Sequence, residues 1–389
     1  MSLATLDRSA LSQGLKACGA DGWLLYNFKG INPVADRLLA LGGLGSRRLF
    51  VLLTPDKPPV ALAHKIEMQP MQGFPGTVIA YARWQELHEG LRKLVAGRTL
   101  AMEVSPGNGV PYLDRVPHGV VQLIEELGGR VVGSAPLVTE FTARWSADEA
   151  RSHREVAEIL ARIARDALRY AVQQGGSELR ETTLQRRVVE AMEREQIIPD
   201  HPPIIAFGPN AADGHYEPME GRDRALSRDE IVLIDLFGRR SGFVSADQTW
   251  MGFSGAAPPE KVRRVWTTVR DARDAALDVV RRAGREGRTL AGWEVDRAAR
   301  DVIEKAGFGD FFVHRTGHSI DQDLHGSGPH MDDYETRDDR AIIAGCGFSV
   351  EPGIYLPGEF GVRSEVNVWW SPDGPIVTPT EPQVDLVLP

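Results

Sequence analysis

Cysteine is scarce in this sequence, which contains only Cys18 and Cys346, far apart in the chain. A framework of disulfides is therefore excluded. So few thiols are typical of the reducing cytoplasm, where we expect this protein to reside. Both cysteines are predicted to be small buried apolar residues rather than reactive thiols. The first residues include an early acid and no apolar core, so we do not expect a secretory signal.

An excess of positive charge and long apolar runs are also missing. The net charge is −9 and the pI is about 5.7, which argues against nucleic acid or an anionic membrane surface as a partner. No apolar run approaches the roughly 18–20 residues of a transmembrane helix. The 389 residues are 42% hydrophobic, enough for a large core and, we expect, two domains.

The first predicted domain, residues 1–142, alternates apolar runs with amphipathic stretches. This alternation indicates an α/β layer. The predicted strands are 21–27, 48–54 and 99–105, and the predicted helices cover 87–95 and 119–129. The glycines of GGLGSRR (42–48) lack a strand–loop–helix context, so they predict a turn and not a phosphate loop.

The second predicted domain, residues 146–389, begins at a capping box formed by Ser146 and Glu149. A long amphipathic helix is expected over 146–175, with further helices near 259–284 and 290–306. Four apolar runs indicate two hairpins, the first from IVLIDLFG and GFVSADQTW, the second from CGFSVEPGIYL and FGVRSEVNVWW. Mixed strands and helices of this kind predict an α+β domain.

Each predicted hairpin carries two acids within apolar surroundings: Asp235 and Asp247 in the first, Glu351 and Glu365 in the second. Acids are costly in a sheet unless they are paired, hydrogen-bonded or bound to a metal. Taken singly, each is typical of a strand end capped by backbone N–H groups. Four together, in a chain that also contains the histidine-rich segment HRTGHSIDQDLHG (314–326), favour a metal centre.

Carboxylates and imidazole suit Mn²⁺, Co²⁺, Zn²⁺ or Fe²⁺, and no thiolate is present among them to select a softer metal. Four carboxylates are too much negative charge for one divalent ion. They suit a pair of ions about 3.5–4 Å apart, bridged by carboxylates, that clamps a hydroxide and polarises a carbonyl group.

The order Asp, Asp, His, Glu, Glu in VLIDLFG, SADQTW, HRTGHSI, VEPGIY and GVRSE resembles the pita-bread metallopeptidases of the M24 type. Within them it resembles the proline-specific branch, prolidase (Xaa-Pro dipeptidase) and aminopeptidase P. These motifs cover about 205–370, and the first domain is similar to the creatinase-type N-terminal domain of the same branch. The resemblance implies an α/β creatinase-like domain followed by a pita-bread catalytic domain.

The resemblance also implies roles for the five motif residues. Asp235 would bind one ion, His318 and Glu351 the other, and Asp247 and Glu365 would bridge both. A hydroxide bridging the ions would attack the peptide, and Glu351 would also carry its proton. The implied cofactor is two Mn²⁺ ions, with Co²⁺ or Zn²⁺ as alternatives.

Other matched positions imply groups around the metals. His314 and His325, four residues before and seven after His318, would hydrogen-bond the substrate, and His215 in GHYEP matches a further family histidine. Three residues would orient the ligands from behind: Thr249, Tyr355 and Arg363.

The sequence departs from the family pattern in three places. The two aspartates are separated by one residue more than is usual, which predicts a bulge or a longer turn. Asp321 replaces a small residue, which leaves open how that wall of the pocket is lined. The polar segment 326–340 is interpreted as a charged surface loop, with His330 or Arg337 as an alternative site for the substrate's C-terminal carboxylate.

We therefore expect a metallopeptidase that cleaves the Xaa-Pro bond of dipeptides, and we expect it to act as a homodimer without nucleic acid or membrane. Three alternatives stay open: an aminopeptidase P that acts on longer peptides, a creatinase-like hydrolase of a small non-peptide C–N bond, and a binding protein without catalysis.

Overall fold

The computed structural model of the protein describes residues 3–41 and 45–389, so the turn predicted at 42–48 lies partly outside the described residues. The chain divides into two compact units, residues 1–142 and 143–389. Across the described ranges, no helix combines the length and the apolar character needed to cross a membrane.

The first unit is an α/β layer on a mixed six-stranded sheet, as far as the described residues show. Its strands are Gly22–Asn27 (β1), Leu49–Leu53 (β2), Val60–His64 (β3), Thr77–Tyr81 (β4), Thr99–Met102 (β5) and Arg130–Gly133 (β6). Their order is β4-β3-β2-β1-β5-β6, antiparallel between β1, β2 and β3 and parallel elsewhere. The helices are Arg8–Cys18 (α1), Pro33–Leu39 (α2), Trp84–Val95 (α3), His118–Glu126 (α4) and Ala135–Thr142 (α5).

Alternation along β1 explains why helices cover this sheet on both faces. Trp23 and Leu25 point into one apolar core, and Leu24 and Tyr26 point into the other. Because successive side chains of a strand point to opposite faces, a run that is apolar throughout must be buried on both sides. The strands and helices predicted for this region are therefore confirmed in kind and place.

The second unit contains four long helices in its part of the described chain: Ala147–Val172 (α6), Glu181–Arg194 (α7), Glu260–Glu286 (α8) and Gly292–Lys305 (α9). The capping box predicted for α6 is present, because the Ser146 hydroxyl accepts from the Glu149 N–H at 3.2 Å and the Glu149 carboxylate accepts from the Ser146 N–H at 2.7 Å. Short 3₁₀ turns occur in both units. The first unit contains Leu3–Thr5, Lys65–Glu67, Pro106–Asn108 and Pro111–Leu113, and the second contains Gly208–Ala212 and Gly309–Phe311.

The strands of the second unit form several small sheets. They are Ile204–Phe207 (β7), Ile231–Gly238 (β8), Ala246–Phe253 (β9), Leu290–Ala291 (β10), Ser319–Ile320 (β11), Ala341–Ile342 (β12), Gly347–Val350 (β13), Gly353–Leu356 (β14), Phe360–Arg363 (β15), Val366–Ser371 (β16) and Gly374–Thr378 (β17). The pairings run β7-β8-β9, β11-β13-β16-β17, β14-β15 and β10-β12.

The β8–β9 hairpin lies between two helical layers. Its residues Ile234 and Trp250 join a core with α6 and α7, whereas Leu233 and Met251 join a core with α8 and α9. Asp235 is one residue beyond Ile234, so period-two alternation places it on the α8–α9 face. On this face, the apolar side chain of Leu233 is therefore followed by Asp235, the first of the candidate metal ligands.

Candidate metal centre

The first pair of acids lies on one face of the β8–β9 hairpin. The register runs without interruption from Ile231 opposite Phe253 to Gly238 opposite Ala246, so no bulge is present in the ladder. Asp235 is opposite Thr249, and Asp247 is opposite Phe237, which makes the two acids diagonal neighbours rather than direct partners. The extra residue between them is accommodated in the turn at 239–245, the longer-turn alternative of the prediction.

The second pair of acids lies between strands, which corrects the prediction that each acid lies inside one strand of a hairpin, because each predicted run contains two strands separated at its acid. The ladders β13–β16 and β14–β15 share one antiparallel register, but pairing stops at Glu351 and Glu365, whose positions are opposite each other. Pro352 follows Glu351 and has no N–H to donate, so the ladder is interrupted there. The Glu351 N–H donates instead to the Thr316 carbonyl oxygen at 2.7 Å, and the Glu365 N–H donates to the Thr249 carbonyl oxygen at 3.4 Å.

His318 completes the cluster directly before β11. Its Nδ1 lies 3.1 Å from the Ser319 carbonyl oxygen, which only accepts, so Nδ1 carries the proton and Nε2 presents a lone pair. That lone pair lies 3.3 Å from Asp247 Oδ2 and 3.5 Å from Glu351 Oε1. Ligand atoms of Asp247, His318 and Glu365 lie within 4.8 Å of one another. Such electron-rich atoms repel one another unless a proton or a metal cation lies between them.

Burial raises the pKa of all four carboxyl groups of the cluster. Asp235, Asp247 and Glu365 are no more than 6% exposed, and loss of water disfavours the ionised form. Neighbouring carboxylates raise the pKa of Glu365 further, and burial also raises the pKa of Glu351. A bound divalent cation would reverse this effect, because it favours the ionised carboxylates.

Two carboxylate oxygens fit a cation directly. Within the described residues, Asp235 Oδ1 and Glu365 Oε1 are buried and have no hydrogen-bond partner. A buried acceptor without a partner costs free energy, and a carboxylate oxygen is a ligand that Mn²⁺, Co²⁺ and Zn²⁺ accept. The donor set of four carboxylates and one imidazole nitrogen therefore suits a metal centre.

Arg363 links the candidate ligands of this centre through hydrogen bonds. Its Nη2 donates to Asp235 Oδ2 at 2.5 Å, and its Nε donates to Thr249 Oγ1 at 2.8 Å. The Thr249 hydroxyl in turn donates to Glu365 Oε2 at 2.9 Å. Arg363 Nη1 also donates to the Tyr355 hydroxyl at 3.2 Å. The structure thus joins the three residues predicted to orient the ligands into one network.

His314 is part of the same network. Its Nδ1 lies 2.7 Å from the Arg315 carbonyl oxygen and therefore carries the proton, so its Nε2 accepts from the Tyr355 hydroxyl at 2.8 Å. Both ring nitrogens are used within the protein, and the ring also packs near the rings of Phe312 and Tyr355, with centroids 5.2 and 5.4 Å away. Burial lowers the pKa of His314 to about 3, so the imidazole is neutral at physiological pH.

The other two predicted histidines are exposed. The His325 ring makes an edge contact with His318, with centroids 4.2 Å apart, and the neighbouring His318 holds the pKa of His325 well below its ordinary value. His215 lies next to Gly214, whose carbonyl oxygen accepts from Arg363 Nη1 at 3.2 Å. Electrostatic interaction with His215 is among the smaller causes that lower the pKa of His314 and of His325.

The polar segment 326–340 is not the solvated loop that its composition predicts. His330, Asp332 and Asp338 are each no more than 1% exposed. Asp338 accepts from the backbone N–H of His330 at 2.8 Å and pairs with Arg340 at 2.6 Å. The charges are thus satisfied inside the fold. Arg337, in contrast, is exposed and lies over the Trp293 ring, 4.3 Å from its centroid.

Two polar residues, Ser349 and Asn367, contact the candidate metal ligands, although the sequence did not predict that they belong to the site. Ser349 accepts from the His318 N–H at 2.9 Å and donates to Glu351 Oε1 at 3.1 Å. Asn367 Oδ1 accepts from the Asp247 N–H at 2.8 Å. Ser349 precedes Glu351 by two residues and Asn367 follows Glu365 by two. This period-two spacing beside a predicted ligand is the signal that would have found them.

Known proteins are similar to the region of the chain that contains the candidate metal centre. The sequence profile of metallopeptidase family M24 matches residues 152–371. A probable dipeptidase PepE from Mycobacterium tuberculosis is 33% identical over 186 residues, which are 48% of this chain and 46% of the relative. The Xaa-Pro dipeptidase of Lactobacillus helveticus is 35% identical over 162 residues, 42% of this chain and 40% of the relative. The matched segment thus spans about half the length of these curated relatives.

A solved structure is similar over the whole chain. The dipeptidase PepE from Mycobacterium ulcerans superposes with a TM-score of 0.74 at 22% sequence identity, and covers 98% of this chain and 97% of its own. At this identity the likeness establishes the fold. It confirms the predicted combination of an α/β first domain and a pita-bread second domain.

Proposed function

The chain belongs to metallopeptidase family M24, and from this premise we propose that it hydrolyses the Xaa-Pro bond of dipeptides with two bound divalent metal ions. The names of two relatives, a dipeptidase and an Xaa-Pro dipeptidase, support this substrate class. The observation that carries the proposal is the convergence of the Asp247, Glu351 and Glu365 carboxylates on His318, together with the buried oxygens Asp235 Oδ1 and Glu365 Oε1, which lack partners within the described residues.

Each ligand has a place in the proposed centre. Asp235 would hold one ion, His318 and Glu351 the other, and Asp247 and Glu365 would bridge the two. When bound, the ions would polarise the scissile carbonyl and lower the pKa of a coordinated water. Mn²⁺ is the ion we propose, and Co²⁺ or Zn²⁺ would suit the same donors.

The protein's own groups would supply orientation and proton transfer. Arg363 and Thr249 fix the Asp235 and Glu365 carboxylates through hydrogen bonds of 2.5–2.9 Å. Glu351, which Ser349 holds at 3.1 Å, would carry a proton from the attacking water to the departing proline nitrogen. That transfer is needed because the imide nitrogen of proline leaves as an amine.

The histidines would act on the substrate. His325 and His215 are exposed beside the centre and can hydrogen-bond the peptide as charge develops on its carbonyl oxygen. His314, whose nitrogens are both engaged, would contact the substrate through its ring and hold the Tyr355 hydroxyl. The proline of an Xaa-Pro dipeptide offers no peptide N–H, so its recognition would rest on the shape of its ring and on its terminal carboxylate.

A substrate panel tests this function. We expect metal-loaded protein to hydrolyse Leu-Pro faster than Leu-Pro-Pro, to lose activity on treatment with a chelator, and to regain it with Mn²⁺. Exclusive cleavage of the longer peptide would identify an aminopeptidase instead. Activity that chelation leaves intact would contradict metal catalysis and favour a creatinase-like hydrolase. The absence of stoichiometric metal after reconstitution would favour a binding protein.

We also propose a homodimer that works in the cytoplasm. Neither Cys18 nor Cys346 takes part in a disulfide, and burial raises the pKa of Cys18 to about 11, which keeps its thiol protonated and unreactive. Light scattering coupled to size-exclusion chromatography tests the oligomeric state, for which we expect about twice the 42.8 kDa chain mass.

A further inference from the structure

The loop from Asp321 to Ser327 is closed by the side chain of its own first residue. Asp321 Oδ1 accepts from the Asp323 N–H at 2.9 Å. Asp321 Oδ2 accepts from the Ser327 N–H at 2.9 Å and from the Ser327 hydroxyl at 3.1 Å. Asp321 is 2% exposed, so water does not compete for these bonds. One carboxylate therefore ties both ends of the loop together.

Gly326 shows how tightly this carboxylate is packed. A Cβ atom at Gly326 would lie 2.7 Å from Asp321 Cγ and 2.8 Å from its Oδ2, closer than real side chains approach. The Gly326 N–H also donates to the Ser319 carbonyl oxygen at 2.7 Å, which ties the loop to β11. The loop is thus built around the Asp321 carboxylate and anchored to the strand that follows His318.

His325 lies within this closed loop, between Asp323 and Gly326. Its side chain is exposed, yet its ring contacts the His318 ring edge-on with centroids 4.2 Å apart. An exposed side chain has many rotamers unless its backbone and one neighbour restrict them. The backbone of His325 is held by the closure at Asp321, and its ring is held by the contact with His318.

We propose that Asp321 is a positioning residue for His325 and thereby for the proposed peptide substrate, an inference that rests on the proposed function. Both oxygens of the carboxylate are used by the loop, so Asp321 does not present a charge to the substrate. The acid that departs from the family pattern shapes the loop that carries a histidine, and it does not line the pocket as a ligand.

A double-mutant cycle on the metal-loaded full chain tests the proposal. The variants are Asp321→Ala, Asp321→Asn, His325→Ala and the double variant Asp321→Ala/His325→Ala. Gln322→Ala, an exposed side chain in the same loop, is the matched control. We expect Asp321→Ala to lower kcat about tenfold to a hundredfold, the effect of displacing a group by about 1 Å. KM and metal content should change little, because the lost interaction develops in the transition state.

The cycle separates a positioning role from a structural one. If Asp321 acts through His325, Asp321→Ala has no further effect on kcat in the His325→Ala background, and Asp321→Asn, which keeps one acceptor, is intermediate. A purely structural residue would lower activity by the same factor in both backgrounds, and that additive result would overturn the proposal. An equal loss in Gln322→Ala would overturn it too.

A readout without substrate distinguishes this proposal from the proposed function. If the wild type hydrolyses no Xaa-Pro peptide, the proposed function fails. Ring signals of the ten histidines, labelled with ¹³C, then report the loop directly. We expect Asp321→Ala to shift the His325 signal, which is assigned by its loss in His325→Ala. An unshifted His325 signal would overturn the positioning role whatever the activity.

Discussion

The Thr249 hydroxyl provides the sharpest test of the network behind the metal centre. It accepts from Arg363 Nε at 2.8 Å and donates to Glu365 Oε2 at 2.9 Å, and Thr249 is 1% exposed. Thr249→Val replaces the hydroxyl by a methyl group of similar size. The change leaves Arg363 Nε without an acceptor and removes the protein donor to Glu365 Oε2, and water has no access to replace either bond.

The magnitude follows from these two bonds. A buried hydrogen bond to a charged group contributes about 1.5–3 kcal/mol. Losing the donor to Glu365 raises the already elevated pKa of its carboxyl group, so a metal ion must displace a more tightly held proton. We expect metal affinity to fall roughly 10–100-fold, as is typical for partners that orient metal ligands, which corresponds to about 1.4–2.7 kcal/mol.

The assay is calorimetric titration of the metal-free variants with Mn²⁺ at pH 7. Thr249→Ser keeps the hydroxyl and is the matched control, for which we expect affinity within about threefold of the wild type, ~0.7 kcal/mol. Thermal unfolding of each metal-free variant checks that the fold is intact. Wild-type affinity in Thr249→Val, or an equal loss in Thr249→Ser, would refute the reasoning.

Three further predictions use other parts of the centre. Burial raises the pKa of Asp235 to about 6 and of Asp247 to about 7, so Mn²⁺ should bind more tightly at pH 8 than at pH 6 and should release protons when it binds. Calorimetry in buffers of different ionisation enthalpy measures both the affinity and the proton release. Equal affinities at the two pH values would contradict this prediction. Tyr355→Phe removes the hydroxyl between the arginine and the histidine of the network and should lower kcat roughly tenfold at unchanged metal content; an unchanged kcat would show that this hydroxyl is dispensable. Arg300→Met breaks a buried ion pair with Asp296 and should lower the free energy of unfolding, measured in urea, by about 3–5 kcal/mol. Adding Asp296→Leu to the same chain should restore part of this loss. Equal stability of the single and double variants would argue against the pair.

The Asp296–Arg300 pair also shows what sequence patterns miss. Both residues lie on α9, where their spacing of four is typical of a solvated helix face. Instead Arg300 donates to the carbonyl oxygens of Phe312 and His314, and Asp296 accepts from the Thr316 N–H. These bonds hold the segment that leads to His318. Residues separated by more than ten positions make them, and periodicity does not report such distances.

Local patterns were reliable where the physical cause was local. The capping box at Ser146 needs only residues three apart, and the apolar alternation of β8 and β9 needs only a sheet with two covered faces. The second hairpin was predicted as a single pair of strands because each of its two runs is mostly apolar. Its interruption at Glu351 depends on Pro352 and on the opposite strand, and it becomes visible only once the two runs are paired.

The sequence by itself identified the five candidate metal ligands, because four acids inside apolar runs are distinctive in one dimension and their order with His318 resembles a known family. Tertiary structure alone decided how those residues are arranged. It set the diagonal arrangement of Asp235 and Asp247, the engagement of both nitrogens of His314, and the closure of the 321–327 loop by Asp321. Hydrogen bonds are short and directional, so their partners are chosen by the folded backbone and not by the order of residues along the chain.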